Sequence, residues 1–387
     1  MYRTYLFNPI LSFIFMWLIA LLLYSLRLSL LIKIDYVFIV IVISFILLFI
    51  LLNTIFIQKI SLVLDIQNLN KSLLKNADIY KKIAFLFFCI GSIGFILEVF
   101  LYSNLIPVFM QNKINTGAPN HYIHYLTQFS MYSSLISCGL YILLKKRFFL
   151  LLIIISSIEL LIWLKRGEIL PLIFAIITFL FIKSIMFSKI KKFYIISLIF
   201  VFSFLLLFSY IGNLRMEYVL ENIYHETFNE RYQMPEWVPN SFGWIYIYIA
   251  TTLENARHII MEQDISSYTY GSKMIYPFLA LFAKNIIHTN YYPELANNYG
   301  LTVVSFLGDA FNDFNILGVY IYTIVYFCIA IIGYKFINRG LFGVAVFVIS
   351  QMFLIWSIFS NSISNGVYII GFIIFILLSL KCERFKY

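Results

Sequence analysis

The first residues to explain are charged side chains lying inside apolar runs. Each costs roughly 2.5–3.5 kcal/mol at the centre of a bilayer. Glu98 and Glu159 are two of them, and each sits among Ile, Leu and Phe. Lys165-Arg166-Gly167-Glu168 follows Glu159, and Pro171 suits the first turn of a new helix. A helix N-terminus favours an anion through its free amides, and the Arg166 guanidinium adds a two-pronged clamp for phosphate. Glu159 and Arg166 stand seven apart, so an ion pair between them is the structural alternative. Arg215 and Arg257 are further candidate anion contacts, with a helix-end arginine and a solvated charged face as their plainer readings. His258 adjoins Arg257; with His121, His124 and His288 it is a candidate base or an interfacial polar group. Asp309 and Asp313 are four apart and share a helix face, where they either cap a helix or act on a hydroxyl.

Other chemistries lack their residues. There is no phosphate-cradling Gly-rich loop, no Ser/His/Asp elbow, no His-Glu-x-x-His and no Cys/His cluster. Neither a metal nor a cofactor is called for. Cys89, Cys138 and Cys328 lie in apolar runs and Cys382 in a basic tail, which gives no disulfide framework.

The elements that must position these residues are apolar helices. Of 387 residues, 62% are hydrophobic and 12% charged, and the mean hydropathy of +0.91 excludes an ordinary single-core enzyme. Ten apolar runs, near 6–26, 36–57, 83–108, 125–144, 148–164, 169–187, 193–212, 315–334, 341–360 and 364–380, read as spans. The first reads as a retained span, without a cleavage site. The runs lack strand alternation, so the expected fold is all-α, a polytopic membrane protein of ten transmembrane helices. Short apolar stretches at 242–253 and 274–283 raise the number to twelve if both cross. Eighteen of the 28 Lys and Arg fall on alternate connections, which places both termini in the cytoplasm. The net charge of +10 is therefore punctuation between helices, and nucleic acid is not an expected partner. Residues 1–387 form one integral membrane domain, with a large external loop over about 213–314. Within that loop, Met216, Val219, Leu220, Ile223, Tyr224 and Phe228 predict an amphipathic helix over 214–230 lying at the membrane surface.

This layout resembles the O-antigen polymerase (Wzy) and oligosaccharide-repeat-unit polymerase family. The local matches are Lys165 to Glu168 before an apolar helix, Arg215 after the next one, and Thr302 to Gly318 before another. Asn315 stands where the family usually has Gly, and the Arg-x10-Gly pattern of some members is absent, since Gly243 lies one residue too far from Arg231. The resemblance implies a glycosyltransferase of lipopolysaccharide or other surface polysaccharide biosynthesis. It would polymerise undecaprenyl-diphosphate-linked repeat units at the periplasmic face of a bacterial inner membrane. It implies diphosphate contacts from Arg166, Arg215 and Arg257, and a base among Asp313, Glu168 and His258. The implied partners are undecaprenyl-diphosphate-linked oligosaccharides, a chain-length regulator and a flippase. The alternatives are a lipid-linked oligosaccharide flippase, a membrane acyltransferase acting on surface glycans, or a polyprenyl-phosphate-sugar glycosyltransferase.

Overall fold

The computed structural model describes residues 9–29, 31–57, 66–102, 121–162, 166–186, 240–262, 268–282 and 303–384, with a few positions between 193 and 203. Apolar runs rich in Ile, Leu and Phe form α1 (Pro9–Ser25), α2 (Tyr36–Ile57), α4 (Ala77–Tyr102), α6 (Phe129–Ile142), α7 (Phe148–Ile162) and α8 (Arg166–Met186). Two short helices, α3 (Ile66–Lys75) and α5 (His121–Thr127), lead into α4 and α6. Later in the chain come α9 (Asn240–Met261), α10 (Tyr276–Phe282), α11 (Phe306–Phe336), α12 (Gly340–Trp356) and α13 (Gly366–Arg384). A short 3-10 turn, Ser362–Ser364, joins the last two.

Helix α12 lies at the centre. Every residue from Gly340 to Ile355 is buried, and the helix packs against α1, α3, α6, α8, α11 and α13. One group of helices, α4 to α8, packs on one side of it; α1, α2, α9 and α11 pack on another. Aromatic rings fill the second group. Trp17 meets Phe45 and Phe306 edge-on at 4.8 and 5.4 Å, and its indole N–H donates to Ser357 Oγ at 3.0 Å. In the first group, α4 and the α5–α6 junction approach so closely that only glycine fits. A Cβ on Gly91 would lie 2.3 Å from the Ser130 amide nitrogen, and one on Gly94 2.5 Å from that of Thr127.

Chain direction gives the domain two ends. Helix α11 has 31 residues, interrupted by a break at Phe314 and Asn315. It starts at the end holding Asp309 and finishes at Lys335, where α12 turns back from Gly340. Gly340, at φ +82°, makes that turn against Tyr80 and Ser72 of the α3–α4 corner. The bends near residues 76, 145 and 339 and the last turn of α13 thus gather at one end, and the connections near 305 and 361 at the other.

The fold corrects the expected span number. Among the described residues three helices are long and apolar enough to cross a membrane: Tyr36–Phe56, Ala77–Leu101 and Phe306–Phe336. Five other apolar helices have 10–17 residues, namely Leu11–Ser25, Phe148–Leu160, Pro171–Ile185, Gly340–Trp356 and Gly366–Cys382. The run at 125–144 is divided at Gln128 into α5 and α6. The run at 193–212 and the 214–230 helix lie largely or wholly outside the described residues. A bundle of ten or twelve spans is therefore not the fold, which is a packed all-α domain tied by internal hydrogen bonds, ion pairs and ring contacts. The physical reason is visible in α12. An apolar run of that length suits a helix wholly enclosed by other helices as well as one enclosed by lipid, and composition does not separate the two.

Candidate functional site

The polar cluster at the start of α11 is built around two aspartates with different surroundings. Ser305 is the N-cap residue in extended conformation, yet its hydroxyl makes no cap hydrogen bond; Oγ is buried without a partner. One turn later Asp309 faces Asn361 of the α12–α13 connection and the Lys273 ammonium. Its Oδ1 is shut off from solvent and has no hydrogen-bond partner. Neither amide atom of buried Asn361 makes a well-formed hydrogen bond, although the amide lies near enough to the Asp309 carboxylate to favour its charged form. The Phe306 amide donates to the Ser357 carbonyl at 3.0 Å, and that bond fixes the two connections together.

Asp313 is fully engaged. Oδ1 accepts from the Thr269 hydroxyl and from the Lys273 amide at 3.1 Å; Oδ2 accepts from the Met274 amide at 3.1 Å and the Tyr322 hydroxyl at 2.5 Å. A carboxylate has about four acceptor positions, so none remains for a substrate. Asp313 ties the 268–275 segment to a break in α11, where Phe314 (φ −142°) and Asn315 (φ 55°, ψ −151°) leave helical geometry. Asn315 accepts the left-handed φ, donates to Tyr268 and receives the Ile316 amide, restarting the helix. The break folds Gly318 onto the Ala310 carbonyl, where a Cβ would come within 1.8 Å of the oxygen. The kink thus needs both residues.

The other sequence-singled residues are dispersed. Arg257 is buried in α9 and spends its fork on two carboxylates: Nε on Glu254 at 2.9 Å, and NH2 on Glu254 and Glu262 at 2.7 and 2.8 Å. Burial opposes the guanidinium charge, but these hydrogen bonds outweigh it and hold the proton more tightly than usual. The Arg257 hydrogen bond, with that of His258, holds the Glu262 carboxyl down at about 2. His258 Nδ1 lies 2.6 Å from Glu262, and the Lys33 amide donates to Glu254 at 3.0 Å, which fastens the α1–α2 connection to α9. Glu98 is fully buried and meets His124 Nδ1 at 2.8 Å, while Gln128 meets the other ring nitrogen at 3.2 Å. Glu159 accepts from Ser92 at 2.7 Å and from Ser130, so both its oxygens are served from α4 and α6. Arg166 opens α8 and Glu168 lies in its first turn; Arg215 and His288 lie outside the described residues.

Sequence reasoning missed Asn361, Ser305, Lys273, Thr269 and Tyr322. Asn361-Ser-Ile-Ser-Asn365 interrupts two apolar runs, and that polar stop was the available signal. Among the described residues, no three or more His, Cys, Asp or Glu side chains converge as a metal site would need.

Comparison with family models, curated proteins and solved structures finds no match. The fold also overturns the expected activity and location. Polymerisation of lipid-diphosphate-linked repeat units, with its flippase and acyltransferase alternatives, rested on ten or twelve spans around an external site in a bacterial inner membrane. A packed helical domain with three membrane-length helices among the described residues does not supply that layout. The multi-pass inner-membrane location and the surface-polysaccharide role fall with it.

Proposed function

We propose that the buried polar cluster of Asp309, Asn361 and Ser305 binds a hydroxyl-bearing ligand, whose hydroxyl donates a hydrogen bond to the Asp309 carboxylate. The observation that carries this reading is the set of buried polar atoms left without a well-formed hydrogen bond: Asp309 Oδ1, Ser305 Oγ and both ends of the Asn361 amide. Orphaned buried polar groups are rare in folded proteins, because each forfeits about 1–3 kcal/mol, and they gather where a ligand completes the bonding. The set offers acceptors in Asp309 and the Asn361 carbonyl, a donor in the Asn361 amide, and the Ser305 hydroxyl for either role. A polyol or sugar matches that alternation. The Lys273 ammonium, facing Asp309, would steady the charged carboxylate. Asp313 acts in this reading by positioning the helix break and the Lys273 backbone.

A thermal-shift screen of simple sugars and polyols against the full chain tests the binding. The expected result is stabilisation by at least one such compound, lost in Asn361→Ala and in Asp309→Ala. Stabilisation by none of them, or stabilisation that survives both substitutions, would sink the reading.

A further inference from the structure

We infer that the basic end of the domain, opposite the Asp309 cluster, binds the phosphate headgroups of an anionic phospholipid surface. Four stretches separate in sequence meet there. Gly340 packs directly on Tyr80 of α4 and Ser72 of α3: a Cβ on that glycine would sit 2.4 Å from the Tyr80 hydroxyl and 2.6 Å from Ser72 Oγ. The Leu341 amide donates to the Tyr80 hydroxyl at 3.3 Å, and Ser379 of α13 reaches the Arg339 carbonyl at 3.5 Å. Lys146, in the α6–α7 turn, is close enough to Asp78 to act on it electrostatically.

The convergence concentrates positive charge. Segments 66–82, 143–148, 335–341 and 379–384 together carry eleven Lys and Arg against Asp78 and Glu383. Asp78 is already taken by Lys81 at 2.7 Å. Lys71, Lys75 and Lys82 are exposed, as is the whole Lys145–Arg147 turn. At the opposite end the arrangement is reversed, since Arg257 is enclosed by Glu254 and Glu262 and Lys33 stands 3.7 Å from Glu262.

Charge alone would equally suit the phosphates of a nucleic acid. The surface next to the charge decides for lipid. Helix α4 runs away from Lys81 and Lys82 with Phe85, Leu86, Ile93, Ile96 and Phe100 exposed, the last at 84%. Nucleic acid offers nothing to such a flank, whereas acyl chains below a headgroup layer do. Lysines at the border of an apolar flank lay their methylene stems along it and carry the ammonium to the headgroups. Arg339 stacks its guanidinium 4.5 Å over the Phe336 ring in the same border position.

The test uses the full chain in detergent, titrated with short-chain phosphatidylglycerol or phosphatidylcholine of equal tail length, with the unfolding temperature as the readout. Phosphatidylglycerol should bind more tightly. Each surface lysine near anionic lipid is expected to contribute about five-fold, so replacing Lys71, Lys82 and Lys145 together by Gln should weaken it at least about ten-fold. Phosphatidylcholine affinity and the lipid-free unfolding temperature should not move. The triple Lys→Arg variant, which keeps the charges, should keep the preference. Equal affinity for the two lipids, or loss of preference in the Arg variant, overturns the inference. Equal stabilisation by inorganic phosphate at the same concentration would mean a free-anion site instead. Displacement of phosphatidylglycerol by a short DNA duplex at lower concentration would assign the surface to nucleic acid.

Discussion

The two ends of this helical domain handle charge in opposite ways. At the Asp309 end, most charged groups are buried or half-buried and paired: Glu98 with His124 across two helices, Arg257 with Glu254 and Glu262 around the end of α9, Asp313 with Thr269 and Tyr322. Its backbone is irregular too, with left-handed φ at Tyr270, Gly271 and Asn315. At the basic end the cations stand outward on helix corners, and the backbone there needs little beyond the turns at Lys145 and Gly340. Enclosed charge costs several kcal/mol per ion unless paired, so the first end has to be specified residue by residue. Exposed charge is solvated and tolerates exchange. The two ends should therefore respond to the same kind of mutation on very different scales.

The largest effect is expected at Asp313. Asp313→Ala leaves a buried Tyr322 hydroxyl, two backbone amides and the Thr269 hydroxyl without an acceptor, and it releases the 268–275 segment from the helix break. Chemical denaturation should show a loss of about 3–5 kcal/mol. Asp313→Asn keeps the shape but turns one acceptor into a donor, and should lose about half as much. A loss below about 1 kcal/mol for the alanine variant would mean that the clasp does not hold this end together.

Next comes Arg257. Arg257→Gln strands Glu254 against the α1–α2 connection, and a loss of about 2–3 kcal/mol is expected, reduced from the fully buried case because Glu262 is partly solvated. Adding Glu254→Gln should return part of it, as a double-mutant cycle would report. The same network predicts an acid limb. Glu262 is held at about 2 in the folded protein against an ordinary 4.5, so its contribution is complete above about 4.5 and fades as pH falls towards 2. Unfolding temperature measured over that interval should fall less steeply in Glu262→Gln than in the wild type. Parallel slopes would remove Glu262 from the network's accounting.

These contrasts bear on what could be read from the residues alone. Apolar runs of Ile, Leu and Phe are helices in the structure because no other element pairs their backbone groups within the run, and the spacing of Asp309 and Asp313 places both on α11. The runs say nothing about what surrounds them. Helix α12 is enclosed by protein all round, while one face of α4 is open, and the apolar run within each looks alike in sequence. The division of work between the two aspartates was also hidden. It depends on Thr269, Lys273 and Met274, some forty residues upstream, and on Asn361, which follows α11 by a whole helix. Asn315 was noticed only as a departure from a family pattern; its left-handed φ gives the position a physical meaning. Long-range partners of this kind leave no local period in the sequence.

Asp309 should behave unlike its neighbour four residues on. Its Oδ1 has no donor to lose, so Asp309→Asn is expected to change stability by less than about 1 kcal/mol, or to raise it by removing an enclosed charge. Ligand-induced stabilisation, in contrast, should drop. A denaturation loss equal to that of Asp313→Asn would make Asp309 a structural residue and end the distinction between clasp and binding group.

The smallest effect is expected at the basic end and completes the contrast. Lys82→Gln removes one positive charge, as Arg257→Gln does, but Lys82 is exposed and lies beyond the first turn of α4. Its ammonium is hydrated before and after folding, so the change should stay within about 0.5 kcal/mol by denaturation. Salt should alter even that little, because screening acts over about 10 Å at 0.1 M on charges in water. Phosphatidylglycerol affinity is the quantity that should move, by about five-fold for this single lysine. A stability loss at Lys82 as large as the one at Arg257 would show that its charge is enclosed as well, and the two ends of the domain would then differ in sign alone.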